Sequence, residues 1–445
     1  MISFKILFTE VKHMAYHILD YGAISGEGNL NTKSIQNAIN DCAAHGGGTV
    51  VIPNGLFISG TLYLKSNVEL HLEMGAELKA STNPEDYNAL DAYPENYSSK
   101  SEGWNGRHFI IAHHVENVAI TGLGIINGSA DTYFDGEPYD PGFHSIWSYG
   151  LQFQKGFIFG MKESENPRPG QLVVFVDCKN VRIVDITVIN SPCWCVFLHG
   201  CENVQVRGYK AFNECTWANT DGLDIDTCKN VTVSDCIIDT GDDAIALRCD
   251  SKKLKNGKIA CENVTITNCV LACSSSAFRF GVGRGEIHNV TISNIVIHRA
   301  GKAFTLATHF GPNCHGLIED IIVRDIVAEN VSVPFELFAK KDCYIKNVSF
   351  HNYRAKSFKG ICMIAFDNAI IRDISVKDIH IRITEPPFSY KLLNEDGNNY
   401  LLDTENVENV QIENMTVEVP EIFKGMFKDE YKIFDGIVSN RKHFQ

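Results

Sequence analysis

The sequence lacks any apolar run of about 18 residues, the length a membrane-crossing helix needs, so no membrane span is expected in its 445 residues. It also lacks a positive balance: 40 Lys and Arg face 54 Asp and Glu, for a formal charge of -14. Neutralising phosphates takes clustered Lys and Arg, so nucleic acid is excluded as a partner. An anionic substrate is not excluded, because a local basic pocket can oppose the global charge. The N-terminus MISFKILFTEVKHMAYHILDYGA has one Lys before its short apolar stretch. Glu10 interrupts that stretch and no small-residue cleavage site follows. It does not read as a signal peptide, and a cytoplasmic protein is expected, with Met14 as an alternative start. Cys193-x-Cys195 and Cys269-x3-Cys273 lack a second ligand pair, so neither zinc nor any other metal or cofactor is expected. The 15 cysteines are an odd number. Four of them (Cys178, Cys201, Cys228, Cys261) share one repeat position, which predicts buried, reduced thiols acting as small hydrophobes.

Helical spacing is nearly absent after residue 45, and a short motif recurs in its place. It reads VENVAI from Val115, CKNVRI from Cys178, CENVQV from Cys201, CKNVTV from Cys228 and CENVTI from Cys261. It continues as IHNVTI from Ile287, IEDIIV from Ile318, IKNVSF from Ile345, IRDISV from Ile371 and VENVQI from Val407. From Cys178 onward the starts are 23, 27, 33, 26, 31, 27, 26 and 36 residues apart. A unit of that length, made of short strands with alternating polarity, cannot bury its own apolar face; stacked units share one continuous core. The recurring Asn suits a tight bend and can stack in a hydrogen-bonded ladder. For that reason Asn230, Asn263, Asn289 and Asn347 are read as repeat bends although each also fits a glycosylation triplet. The fold predicted is all-β: a right-handed parallel β-helix forming one elongated domain.

Residues 17–60 are expected to form a cap region. Asn31 is a helix-capping type, and Ile35, Ala38, Ile39 and Cys42 follow at helical spacing. Gly46-Gly-Gly-Thr-Val-Val-Ile-Pro53 would end that helix and start a strand. A solenoid end exposes core and strand edges, so this N-terminal helix is assigned to capping. Residues 1–16 are read as an N-terminal extension, 61–420 as coils and 421–445 as a C-terminal tail. The stretches 83–106 and 128–170 break the repeat and are too long for ordinary turns; they are candidate binding walls.

Two segments depart from the plain repeat: Asn219-Thr-Asp-Gly-Leu-Asp224 and Thr240-Gly-Asp-Asp-Ala-Ile-Ala-Leu-Arg248. Asp221 and Asp243 are 22 residues apart, close to one coil. Coils stack at about 4.8 Å, so Asp221 should lie beside the Asp242–Asp243 pair. Three like charges that close should raise at least one pKa. Glycosidic cleavage needs such an arrangement, with one protonated carboxyl for the leaving oxygen and an ionised one for water. Acid and base in an inverting pair stand roughly 6.5–9.5 Å apart. The same carboxylates could instead be turn residues with a bound cation, or could hold Ca2+ in a lyase.

On these motifs the chain resembles the polygalacturonase-type glycoside hydrolases of family 28, over roughly residues 17–420. Asp20-Tyr-Gly-Ala, the Gly-Gly-Gly-Thr-Val-Val-Ile-Pro strand, Ser191-Pro-Cys-Trp194, Asn-Thr-Asp and Gly-Asp-Asp all look like that family. The resemblance implies an inverting glycosidase with Asp242 as general acid. It implies that Asp221 and Asp243 hold and activate the water, and that Asn219 orients the site. Two family motifs differ. Where the family has Gly-His-Gly, this chain has Ser274-Ser-Ser-Ala-Phe-Arg-Phe-Gly281, with Ser276 in place of His. Where the family has the Arg-Ile-Lys that grips a galacturonate carboxylate, the best match is Phe304-Thr-Leu-Ala307, which has no charge. Arg248 and Arg279 are candidate replacements. Either they supply the positive field for a sugar carboxylate, or they neutralise the aspartates. Arg284 and His309 lie just beyond. Trp104 and Trp147, in the long loops, are candidate sugar platforms, as is Trp217; Trp194 reads as core. His113, His114 and His199 are assigned no catalytic role. The function expected is an exo-acting hydrolase of pectic or related uronate-containing oligosaccharides. Its competitors are a β-helix lyase or epimerase, and a non-catalytic carbohydrate-binding solenoid.

Overall fold

The computed structural model describes residues 15–88, 106–134, 168–215, 217, 219–250, 254, 260–310, 316–385, 400–425, 427 and 433–438. Their dominant feature is parallel pairing between strands one coil apart. Val173–Val176, Lys179–Val184 and Thr187–Ile189 form three sides of one coil. They pair in register with Val196–His199, Glu202–Arg207 and Lys210–Phe212 of the next. The winding is right-handed, as parallel crossover connections are. From Ala260 onward the turns between sides tighten, and strands such as Glu286–Phe310 and Leu317–Lys340 run continuously around the corners.

Alternation decides which residues enter the core. Along the first side, Ile110, Val173, Val196, Leu223, Ile245, Phe278, Phe304, Phe335 and Ile361 stack in one inward column, and all are fully buried. Aromatic rings fill the wider later coils: Phe278 stacks on Phe304 at 4.8 Å and Phe335 on Phe350 at 3.9 Å. The apolar core is continuous from Tyr16 to Val419.

The recurring Asn does what its chemistry allows. Asn117, Asn180, Asn203, Asn230, Asn263 and Asn289 all have φ between 55° and 58°, the left-handed region Asn tolerates. Each side-chain amide donates to the Oδ1 of the Asn one coil earlier, at 2.8 Å for Asn117 and Asn180 and 3.0–3.1 Å for the next four. The fourteen described cysteines carry free thiols, and twelve of them are buried. Cys178, Cys201 and Cys228 point their sulfurs at backbone carbonyls inside the stack.

The helix Thr32–Ala44 closes the N-terminal end with Ile35, Ala38, Ile39 and Cys42 buried beneath it. Asn31 stands at its N-cap but does not cap it. Its side chain is taken by the backbone N–H and C=O of Ile24 instead. The stack also begins earlier than its sequence pattern suggests. Gly48–Ile52 and Gly55–Ser59 already pair with Val68–Leu72 and Ala76–Ala80, and Ala15–His17 adds a strand before them. At the other end the expected tail contains a strand, Ile433–Val438, antiparallel to the last coil strand Val407–Glu418. Covering that free edge satisfies its backbone groups. Of the two insertions, 89–105 and 135–167 lie outside the described residues, and with them Trp104 and Trp147.

Candidate active site

The register of the first side builds the site. Leu223 pairs with Ile245, Ile245 with Phe278, and Phe278 with Phe304. The residues two places earlier, Asp221, Asp243, Ser276 and Lys302, therefore form a column at the mouth of that side. Asp242 precedes Asp243 on the turn. The turns are forced close by two glycines. A Cβ on Gly222 would come within 2.6 Å of the Ala244 carbonyl, and one on Gly241 within 2.1 Å of the Trp217 carbonyl. The segment Asn219–Asp221 is thus pressed against Gly241–Asp243, which brings the aspartates together. Asn219 itself turns the chain at φ 57°.

Asp221, Asp242 and Asp243 each present an oxygen within 4.8 Å of the others. These are single oxygens, one from each group, and their spacing is not the carboxyl-to-carboxyl separation of an inverting pair. A water bonded to two carboxylates at about 2.8 Å each needs oxygens within about 5.6 Å, a condition this cluster meets. Asp221 and Asp242 are buried and Asp243 half-buried. Burial, then the charge of Asp243, pushes the Asp242 carboxyl up to about 8, against the pull of the Asn219 N–H and the Ser275 hydroxyl. Burial, then Asp242, Asp224 and Asp243, pushes Asp221 well above the ordinary carboxylate range, while Arg248 pulls it down. The cluster therefore holds fewer than three negative charges at neutral pH.

Hydrogen bonds distinguish the three. Asp242 Oδ2 accepts from both Asn219 N–H (3.1 Å) and Asn219 Nδ2 (3.3 Å). Asp243 Oδ1 accepts from the Ser276 N–H at 2.8 Å. Ser276 is thus brought to the carboxylates by its backbone. Its hydroxyl reaches Thr305 Oγ1 at 3.2 Å, and that hydroxyl reaches Glu336 Oε1 at 3.3 Å. Glu336 pairs with Lys302 Nζ at 2.6 Å. Arg279 is half-buried and stands in register with Thr305, one step along the floor from Ser276.

Arg248 is placed differently. It is buried against Asp224 and Asp226, each 3.6 Å away, and lies 4.2 Å over the Trp194 ring. Both carboxylates are fully buried, so Arg248 is their counter-ion. Trp194 is core, as its strand pattern implied, and meets Phe197 edge-on at 5.3 Å. Trp217 stacks on Phe134 at 5.0 Å. His199 faces the Asp250 carbonyl at 3.1 Å and His114 faces Asp177 at 3.0 Å. Arg284 is exposed.

Three site residues were not among the candidates drawn from the sequence. Arg168 lies at the end of the second insertion, buried beside Asn219, where burial lowers its own affinity for the proton and Asp242 and Asp221 raise it. Lys302 and Glu336 sit on coils whose motif match looked uncharged. Lys302 comes two residues before the Phe304-Thr-Leu-Ala307 match, so a cation does stand on this stretch of the floor.

A buried, proton-holding carboxyl beside two more carboxylates at the turn of a parallel β-helix is an arrangement glycoside hydrolysis can use. The chain belongs to the glycosyl hydrolases family 28, whose model matches residues 42–337. A probable polygalacturonase of Vitis vinifera is 25% identical over 366 residues, covering 72% of this chain and 70% of that protein. An exo-poly-alpha-D-galacturonosidase of Dickeya chrysanthemi is 30% identical over 254 residues, covering 52% of this chain and 41% of that protein. The fold is shared with the hyperthermoactive exopolygalacturonase of Thermotoga maritima (22% identity, TM-score 0.68, 96% of this chain and 95% of that one). It is shared also with the family 28 exopolygalacturonase of Yersinia enterocolitica (19% identity, TM-score 0.70, 96% and 78%).

Proposed function

We propose that this glycosidase hydrolyses pectic, uronate-containing oligosaccharides from a chain end, with inversion at the anomeric carbon. The observation that carries the reading is the raised carboxyl of Asp242 beside Asp221 and Asp243. Asp242 protonates the glycosidic oxygen. Asp221 and Asp243 position a water, and Asp243, fixed by the Ser276 N–H, takes its proton. Arg279 and Lys302 stand on the two coils that follow Asp243, Lys302 already paired with Glu336; their positive charge supports an acidic sugar next to the scissile bond. Exo action is supported by the 30% identity to the exo-poly-alpha-D-galacturonosidase of Dickeya chrysanthemi.

The test is Asp242→Asn with oligogalacturonides and rhamnogalacturonan fragments as substrates. Reducing-sugar release should fall at least about a thousandfold while binding persists. Full activity in this variant would end the reading. NMR of the first product should show the inverted anomer, and product sizing should show single residues or short units from the earliest times.

One observation favours a second reading. Three carboxylate oxygens within 4.8 Å also suit Ca2+, as a β-helix lyase would use it. That reading requires EDTA to abolish activity and an ultraviolet-absorbing unsaturated product. Activity that survives EDTA with no such product removes it.

A further inference from the structure

A general acid must not only hold a proton but hold it on the oxygen that faces the substrate. Asp242 Oδ2 is occupied, since it accepts both the backbone N–H and the side-chain Nδ2 of Asn219. The proton of the neutral carboxyl is therefore left to Oδ1. This works only while the Asn219 amide presents NH2, not oxygen, to Asp242. Nothing in an amide's shape enforces that choice, since its two ends are nearly the same size. The structure does enforce it. Arg168 Nη2 stands 3.5 Å from Asn219 Oδ1, at the other end of the amide. A guanidinium only donates, so a flipped amide would turn its NH2 against a cation. Arg168 is itself buried and lies 5.7 Å over the Phe134 ring, which stacks on Trp217 of the same turn as Asn219.

We propose that Arg168 is a positioning residue: by locking the Asn219 amide it confines the acid's proton to Asp242 Oδ1. The inference rests on Asp242 being the acid. The groups that face Asp242 are Asp221, Asp243, Asn219, the Ser275 hydroxyl, Cys273 and Arg168; Arg168 in turn also faces Asp221 and Cys193. Removing the cation leaves the negative charges opposing ionisation of Asp242 with less compensation. The acid should then stay protonated to higher pH while losing its aim.

The experiment compares wild type, Arg168→Gln and Arg168→Lys. Asp242 is followed without substrate by infrared difference spectroscopy of its carboxyl band, with Asp242→Asn as the blank. In parallel, kcat and KM are measured against pH on an oligogalacturonide. For Arg168→Gln, kcat should fall at least about tenfold with KM within about twofold. The alkaline limb of the profile and the infrared midpoint should move up together. Arg168→Lys should restore the limb and the midpoint but not the full kcat, because an ammonium lacks the planar fork. An unmoved limb and midpoint, with or without a loss of thermal stability, overturns the proposal. So does a rise in KM alone, which would make Arg168 a substrate contact. Hydrolysis that survives Asp242→Asn would instead refute the acid assignment, and the substrate-free infrared titration separates that failure from this one.

Discussion

On the proposed reading, burial makes a reagent of a common side chain at this turn. Asp242 holds its proton up to about 8, and the acid step needs that proton. Activity should therefore fall as pH rises through about 8. Stability changes in the same direction. A carboxyl with a raised folded pKa binds more protons folded than unfolded between the ordinary carboxylate range and about 8, so the folded state loses stability across that window as pH rises. Asp242→Asn should flatten this loss and raise the melting temperature at pH 8 by at least about 2 °C, measured by calorimetry. The arginines of the floor should separate cleanly. Arg279→Ala should raise KM for an acidic sugar at least about tenfold with little change in stability, and an unchanged KM would end its carboxylate role. Arg248→Ala should cost about 3–5 kcal/mol by denaturant unfolding, because Asp224 and Asp226 would stay buried without their counter-ion. Much of this constellation was legible in the chain. Asn-Thr-Asp and Gly-Asp-Asp lie on consecutive coils, and period and spacing together place them side by side. Arg168 was not legible, because an insertion follows no period. Lys302 was legible by spacing: steps of 33 and 26 residues, the motif spacings of the same coils, lead from Asp243 through Ser276 to Lys302, two residues ahead of the Phe304-Thr-Leu-Ala307 match.

At the level of the element, the Asn ladder joins neighbouring coils. Asn263 donates to Asn230 and accepts from Asn289, at 3.0 and 3.1 Å, with φ at 58°. Asn263→Ala loses both bonds and leaves in the left-handed bend a residue without the polar side chain that makes Asn tolerant of it, for an expected cost of about 2 kcal/mol. Asn263→Gly keeps the bend without strain and should cost less; equal unfolding curves for the two would show that the backbone conformation contributes nothing. The ladder was readable because each coil repeats the same bend with the same residue. The N-terminal helix was readable in its apolar face but not in its cap. Asn31 is drawn to Ile24 by a contact across a loop that no local pattern encodes.

The whole molecule is a stack in which each coil rests on its two neighbours, so its stability is close to a sum of coil and interface contributions. A central ring such as Phe304 touches aromatic rings on both adjoining coils, Phe278 at 4.8 Å and Tyr353 at 6.0 Å among them. Phe304→Ala should cost about 3–5 kcal/mol. Hydrogen exchange should then rise first in the coils beside it rather than uniformly. A stack of this kind has no inherent length. Every coil offers the next the same parallel edge, and a second molecule could in principle continue it. Here the chain supplies its own terminators: the helix Thr32–Ala44 over the first coil, and the strand Ile433–Val438 laid the wrong way round against the last. Reversed polarity matters, because an antiparallel strand satisfies the edge without copying the pattern that would invite another parallel one. Over Val410–Thr416, a copy of the chain would therefore meet reversed polarity rather than another parallel edge, a consequence separate from catalysis.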